Sequence, residues 1–149
     1  MAHVQEQILT AVVDRLIDAG TAAGANVFLD RVDPLQDDEL PALLVFEAPQ
    51  GESAQPYTVS GIEQRQYAVR IAGVVSHGSA YGARARDLGL QVEKALSGNA
   101  ALLRLAKGGA RIASSRLTLS GDAEEARAAR EQTWLFTYLV RPTAPDIAV

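Results

Sequence analysis

Few residues in this chain are of types that perform chemistry. His77 is the foremost, in the run Ser76-His77-Gly78-Ser79, where a strand is expected to give way to a helix. A serine nucleophile needs its base within hydrogen-bond reach and a third group to orient that base. Sequence neighbours rarely meet that geometry, and no Gly-x-Ser-x-Gly elbow occurs in the chain. A loop or capping role is therefore the preferred reading of His77. A metal site has still less to draw on. The chain holds 2 histidines and 0 cysteines, and neither His3 nor His77 has a ligand partner at helical spacing. Asp37-Asp38-Glu39 lacks the alternating ligands and the glycine of a calcium loop, so it reads as a solvated acidic segment. Glu124-Glu125 lies in a polar stretch without the burial that tunes a carboxylate for acid–base work. Lys107-Gly108-Gly109 is not a phosphate loop and reads as a helix ending. No catalytic residue, cofactor site or metal site is expected.

The elements that would position any site follow from periodicity. Val4, Ile8, Val12, Leu16 and Ile17 recur at helical spacing and predict a helix over about 3–19, stopped by Gly20. A short strand is expected at Val27-Phe28-Leu29, then a turn-rich stretch from Arg31 to Leu40. Pro41 opens a strand from Ala42 to Glu47 whose faces are both apolar. Pro49 to Gly61 is either a loop or the tip of a long hairpin. Glu63 to Ser76 alternates as a strand, with Tyr67, Val69, Ile71 and Gly73 on one face. Ser79 is the expected N-cap of a helix to Leu96, with Tyr81, Ala85, Leu88, Val92 and Ala95 as its stripe. Asn99 caps a short helix holding Leu102, Leu103 and Leu105. A strand over Arg111 to Ser120 carries Ala113, Ser115, Leu117 and Leu119 on one face. Gly121 to Arg130 reads as an exposed connector of high helix propensity. The last strand, Thr133 to Arg141, sets Trp134, Phe136, Tyr138 and Val140 on one face. Pro142 to Val149 reads as a loose arm. The pattern is α+β: a single domain over 1–141 and the arm over 142–149. Its sheet is mostly antiparallel or mixed, with two main helices packed on one face.

Composition sets the class. At 149 residues with 48% hydrophobic and 21% charged side chains, the chain is expected to fold as one globular domain. Without cysteine it has no disulfide framework, and a reducing compartment suits it. A net charge of −4 argues against tight nucleic-acid binding. The strongest apolar run, Leu43 to Phe46, is far below the ~20 residues of a membrane helix, and Met1 to Glu6 does not read as a signal peptide. With no polar constellation assembled, the protein is expected to work through its surfaces. Arg65 and Arg70 on the long strand, and Arg84 and Arg86 on the second helix, are candidates for a local basic surface suited to carboxylates of a neighbouring subunit.

The layout resembles the tail terminator proteins of long-tailed bacteriophages, the minor tail protein U-like family. The resemblance rests on the helix Ile8 to Asp14, then Val27-Phe28-Leu29-Asp30-Arg31. It continues through Asp38-Glu39-Leu40-Pro41 and the apolar strand to Phe46, the strand Gln66 to Val75, and the helix to Ser97. The Asn99 to Leu103 turn and the strand Trp134 to Val140 complete it. These are matches of order and spacing, and the stretch between Ile112 and Trp134 is longer than the family pattern. The resemblance implies a structural, non-enzymatic virion protein: a homo-hexameric ring on the tail tube that ends polymerisation and presents a joining surface to the head. Its implied partners are copies of itself, the major tail tube protein and a head-completion or connector protein, with assembly in the host cytoplasm and no membrane. Rings of this kind use heterologous contacts. The candidate subunit interface is Asp37, Asp38 and Glu39 against Arg65, Arg70, Arg84 and Arg86. The candidate tube-contact or lumen segment holds Gln50, Glu52, Gln55 and Tyr57. The alternatives are another neck or connector component, a prophage-derived tail-like particle, or a small-ligand-binding or enzymatic domain using His77.

Overall fold

Burial of one stripe builds the first helix. In α1 (Val4–Asp18), Val4, Ile8, Leu9, Val12 and Leu16 are buried. Ile17, expected in that stripe, is 40% exposed instead, because Leu16, about 100° away around the helix, holds the buried face at the last turn. Gly20 follows with φ +64°, the left-handed value that a helix stop requires and glycine adopts without a Cβ penalty. The computed structural model describes residues 1–59, 61–121 and 126–149.

After α1 come β1 (Val27–Leu29), a 3₁₀ turn (Asp37–Glu39), β2 (Ala42–Pro56), β3 (Glu63–Ser76), α2 (Tyr81–Leu96), α3 (Ala100–Leu105), β4 (Gly109–Ser120), β5 (Arg127–Arg141) and β6 (Ala144–Ala148). The sheet runs β1-β2-β3-β5-β4, with β6 joined to β5. β1 lies parallel to β2, and the other pairs are antiparallel. The α+β reading with a mixed sheet therefore holds. Of the two readings open for 49–61, the hairpin is the correct one. β2 continues to Pro56, in register with Glu63, through an irregularity between Glu47 and Glu52.

One face of the sheet carries Leu43, Val45, Tyr67, Val69, Ile71, Trp134, Phe136, Tyr138 and Val140, and the stripes of the helices close over it. Gly73 sits where α2 passes closest. A Cβ there would stand 2.9 Å from Leu88 Cδ2, so the strand glycine marks a close helix approach. The buried Gln132 ties the layers together: its amide donates to the Gly89 carbonyl of α2 at 3.0 Å and accepts from the Trp134 indole at 3.0 Å. A smaller apolar cluster, Leu35, Ala42, Ala72 and Val74, lies apart from this core under the 31–40 segment.

Several sequence expectations give way. Ser79 is not the N-cap of α2. That position is Ala80, at φ +57°, without a side-chain cap bond, and Arg84 donates to the carbonyls of this turn instead. Asn99 does cap α3, its Oδ1 accepting from the Leu102 amide at 3.2 Å. In β4 a register shift between Ile112 and Ser114 breaks the period-two reading. Ala110, Ile112 and Leu117 pack on the core, while Ala113 is exposed and Leu119 is 57% exposed. An inserted bulge residue flips the phase of everything beyond it. Of the expected connector, Arg127 to Arg130 belongs to β5, where pairing with β3 and β4 overrides alanine's helix propensity. Asp122 to Glu125, including Glu124 and Glu125, lie outside the described residues. The expected arm over 142–149 forms β6, pairing Ala148 with Val140 and Ala144 with Arg141.

Candidate functional site

His77 follows β3 directly, and its amide donates to the Ala126 carbonyl at 3.0 Å. Its ring stacks obliquely on Tyr81, 4.8 Å between centroids. Among the described residues no serine hydroxyl or carboxylate bonds the imidazole. A cleft of about 200 Å³ nearby is lined mainly by Ala22, Leu40, Pro41, Val75 and Leu88, with Arg84 and Asp87 at its side, and His77 is not in its wall. Among the described residues no group of three or more His, Cys, Asp or Glu stands together as a metal site.

The acidic segment is held by its own subunit. Arg31 grips Glu39 with both terminal nitrogens, at 2.5 and 2.7 Å, and lies over the Phe28 ring at 4.4 Å. Glu39 also accepts from the Gln36 amide at 2.8 Å. The bond to the Arg31 guanidinium, with the Gln36 amide second, holds the Glu39 carboxyl down to about 2. Asp37 meets Arg127 at 2.9 Å, although its side chain is 92% exposed. Asp38 is exposed and makes no ion pair among the described residues.

The four arginines do not form one surface. Arg65 projects on the helix side of β3, between Glu63 at 3.0 Å and Glu52 at 3.7 Å. Arg70, five residues on, lies on the opposite face, with its Nε buried and without an acceptor among the described residues. Arg84 is at the far end of β3. It donates to the carbonyls of Ser76 at 2.7 Å and Ser79 at 3.2 Å, bracing the turn into α2. Arg86 is exposed on α2.

The hairpin residues divide in the same way. Gln50, Gln55 and Tyr57 are exposed, Tyr57 by 55%. Glu52 points inward instead. It accepts from Gln5 Nε2 at 2.6 Å and from the Tyr138 hydroxyl, near the Arg65 guanidinium. This buried cluster fastens the base of the hairpin to α1 and β5. Burial, with Glu52 beside it, pushes the Tyr138 hydroxyl well above the ordinary phenol range. Tyr67 is pushed up too, by burial first and then by Glu47, with Asp30 and Glu52 adding negative charge. Sequence reasoning missed the Arg31–Glu39 and Glu52–Tyr138 contacts. The first leaves a faint trace in an eight-residue separation flanking a turn, and the second spans 86 positions and leaves none.

No family model matches the chain, and no curated protein matches it. Among solved structures, the chain is similar to one from the virion of a native gene transfer agent particle. The likeness covers 91% of each chain, at 18% identity and a TM-score of 0.40.

Proposed function

We propose that this protein is a tail terminator: a ring-forming structural component that caps a phage-type tail tube and offers a joining surface to the head. What carries the reading is the order of elements. Helix, short strand, acidic turn, long hairpin, helix, capped short helix and closing strands follow one another as the sequence resemblance to that family implies. The chemistry of the surface supports it as well, since the groups suited to catalysis are dispersed and the polar clusters serve to brace the fold.

In this reading the hairpin is the part that meets the tube. Its turn carries the exposed side chains Tyr57 and Val59, and its base is anchored at Glu52. Of the charged residues considered for the subunit interface, Asp38 and Arg86 are exposed and unpaired among the described residues, and they remain candidates for contact between neighbours. The test is electron microscopy of tails assembled with the cognate tube protein, with and without this chain. Capped tails of uniform length are expected with the protein, and overlong tubes without it. A length distribution unaffected by the protein overturns the reading. A variant lacking the exposed hairpin turn, still folded by circular dichroism, should lose capping.

A further inference from the structure

The sheet ends in two long unpaired edges, and they match each other. Among the described residues no strand pairs with the outer side of β4, which is 12 residues long. On the opposite side β1 covers β2 only at Leu43, Leu44 and Val45, leaving the edge from Phe46 to Pro56 open. Such edges are templates for further strand pairing.

We infer that the β4 edge of one copy joins the open β2 edge of the next, extending the sheet from subunit to subunit. This rests on the ring reading above and names the contact that would build it. Strand direction is the first support. β2, β3, β5 and β4 alternate, so placing copies side by side with the same face up sets β4 antiparallel to the neighbour's β2, as in the chain's own long pairs. Shape is the second. Both edge strands carry an irregularity, and the two flank one cross-strand row. Ile112 pairs with Trp134, Trp134 with Val69 and Val69 with Glu47. In β2 the irregularity lies beyond that row toward Tyr67 and Phe136, between Glu47 and Glu52; in β4 it lies beyond it toward Thr133, between Ile112 and Ser114. The two edges therefore bend next to the same row, one on each side of it. Bulges and Pro49 keep such an edge from pairing indiscriminately.

Charge is the third support. The β4 side presents Arg111 and Arg116, with Lys107 just before the strand, all exposed; Arg116 keeps 67% of its side chain open even while bonded to Glu131. The β1–β2 side presents exposed Asp30, Asp33 and Glu47. Arg111 and Glu47 project on opposite faces of the sheet, so these charges orient the approach of two copies rather than form fixed pairs. Two different edges in contact make a heterologous interface, which closes into a ring when the rotation permits.

The absence of cysteine gives a clean test. Ser53 and Arg111 are exposed on the face away from the helices, one on each edge. In the joined sheet they are offset by two residues, about 7 Å along the strand, across a gap of about 4.8 Å. The S53C/R111C protein, treated with a short bismaleimide, should give a ladder of covalent multimers on a denaturing gel. Each single variant should stop at dimer. Native mass spectrometry of the unmodified protein runs alongside, with tube protein added in a second arm. Multimers by mass without a ladder overturn the edge contact and leave the ring reading standing. A monomer at every concentration in both arms, together with unaltered tail length, overturns both. A ladder in either arm supports the edge contact.

Discussion

Replacing Glu52 tests whether the hairpin is anchored by a buried polar cluster. Its side chain is 13% exposed and accepts from Gln5 and from Tyr138, a residue with no exposed surface. In Glu52→Ala the Tyr138 hydroxyl stays buried without its acceptor, which costs about 1–3 kcal/mol. Loss of the charge-assisted bond from Gln5 adds about 1 kcal/mol. Arg65 retains Glu63 at 3.0 Å, so no further cost is assigned to an orphaned cation. The expected loss is about 2–4 kcal/mol, or a fall in Tm of about 4–16 °C for a chain of this size. Urea titration measures it directly. Tyr138→Phe removes the donor with the ring kept, so a double-mutant cycle should return about 1–2 kcal/mol of coupling. Hydrogen exchange adds a spatial readout. Amides of Glu52 to Gln55 and Glu63 to Tyr67 should exchange faster in Glu52→Ala, while those of α2 and the Trp134 region keep their protection. A stability change under about 0.5 kcal/mol, or additive single variants, would show that solvent satisfies Tyr138 and that the hairpin base needs no anchor.

The Glu39 carboxyl lies below its ordinary value in the folded protein, so its contribution to stability is present above the unfolded value of 4.5 and is lost as pH falls toward about 2. Denaturant midpoints of the parent and Glu39→Gln should therefore differ at pH 6 and converge as pH drops through that window. Gly73→Ala places a methyl group against Leu88, 2.9 Å from its Cδ2, and should cost about 1–3 kcal/mol by overpacking; a neutral result in thermal melts would mean that α2 moves away freely. Asn99→Ala removes the cap on the Leu102 amide and should cost about 1 kcal/mol, with Asn99→Asp restoring most of it.

Local pattern carried the fold a long way. The stripe Val4, Ile8, Val12, Leu16 and the alternation Trp134, Phe136, Tyr138, Val140 each declare a buried face, because burial repeats with the period of the element. Three features escaped for physical reasons. The β4 bulge shifts phase by one residue without a glycine or proline to announce it. Ala126 to Arg130 has helical propensity worth tenths of a kcal/mol per residue, too little against two neighbouring strands. β6 carries Pro145, which reads as a loop, yet Val140 and Arg141 offer it the edge that β4 leaves open beyond Thr137.

The candidate interface was less legible, and the reason is distance. A charge seen in a sequence has no partner attached to it, so Glu39, Arg65 and Arg84 all looked available to a neighbouring subunit. In the fold each is committed: Glu39 to Arg31, Arg65 to Glu63 and Glu52, Arg84 to the carbonyls before α2. Committed charges are poor docking groups, since a partner must first displace an internal bond and desolvate what is left. Of the candidate interface charges Asp38 and Arg86 stay open, and further open charges lie elsewhere. Arg111 and Lys107 stand beside one sheet edge, and Asp30 and Asp33 beside the other. That division follows from the topology. Side chains near the centre of a sheet find partners across neighbouring strands, whereas those on an edge have a strand on one side only. The same edges also hold the unpaired backbone groups. Backbone and charge are thus the two grounds on which the proposed subunit contact is put at the margins of the sheet.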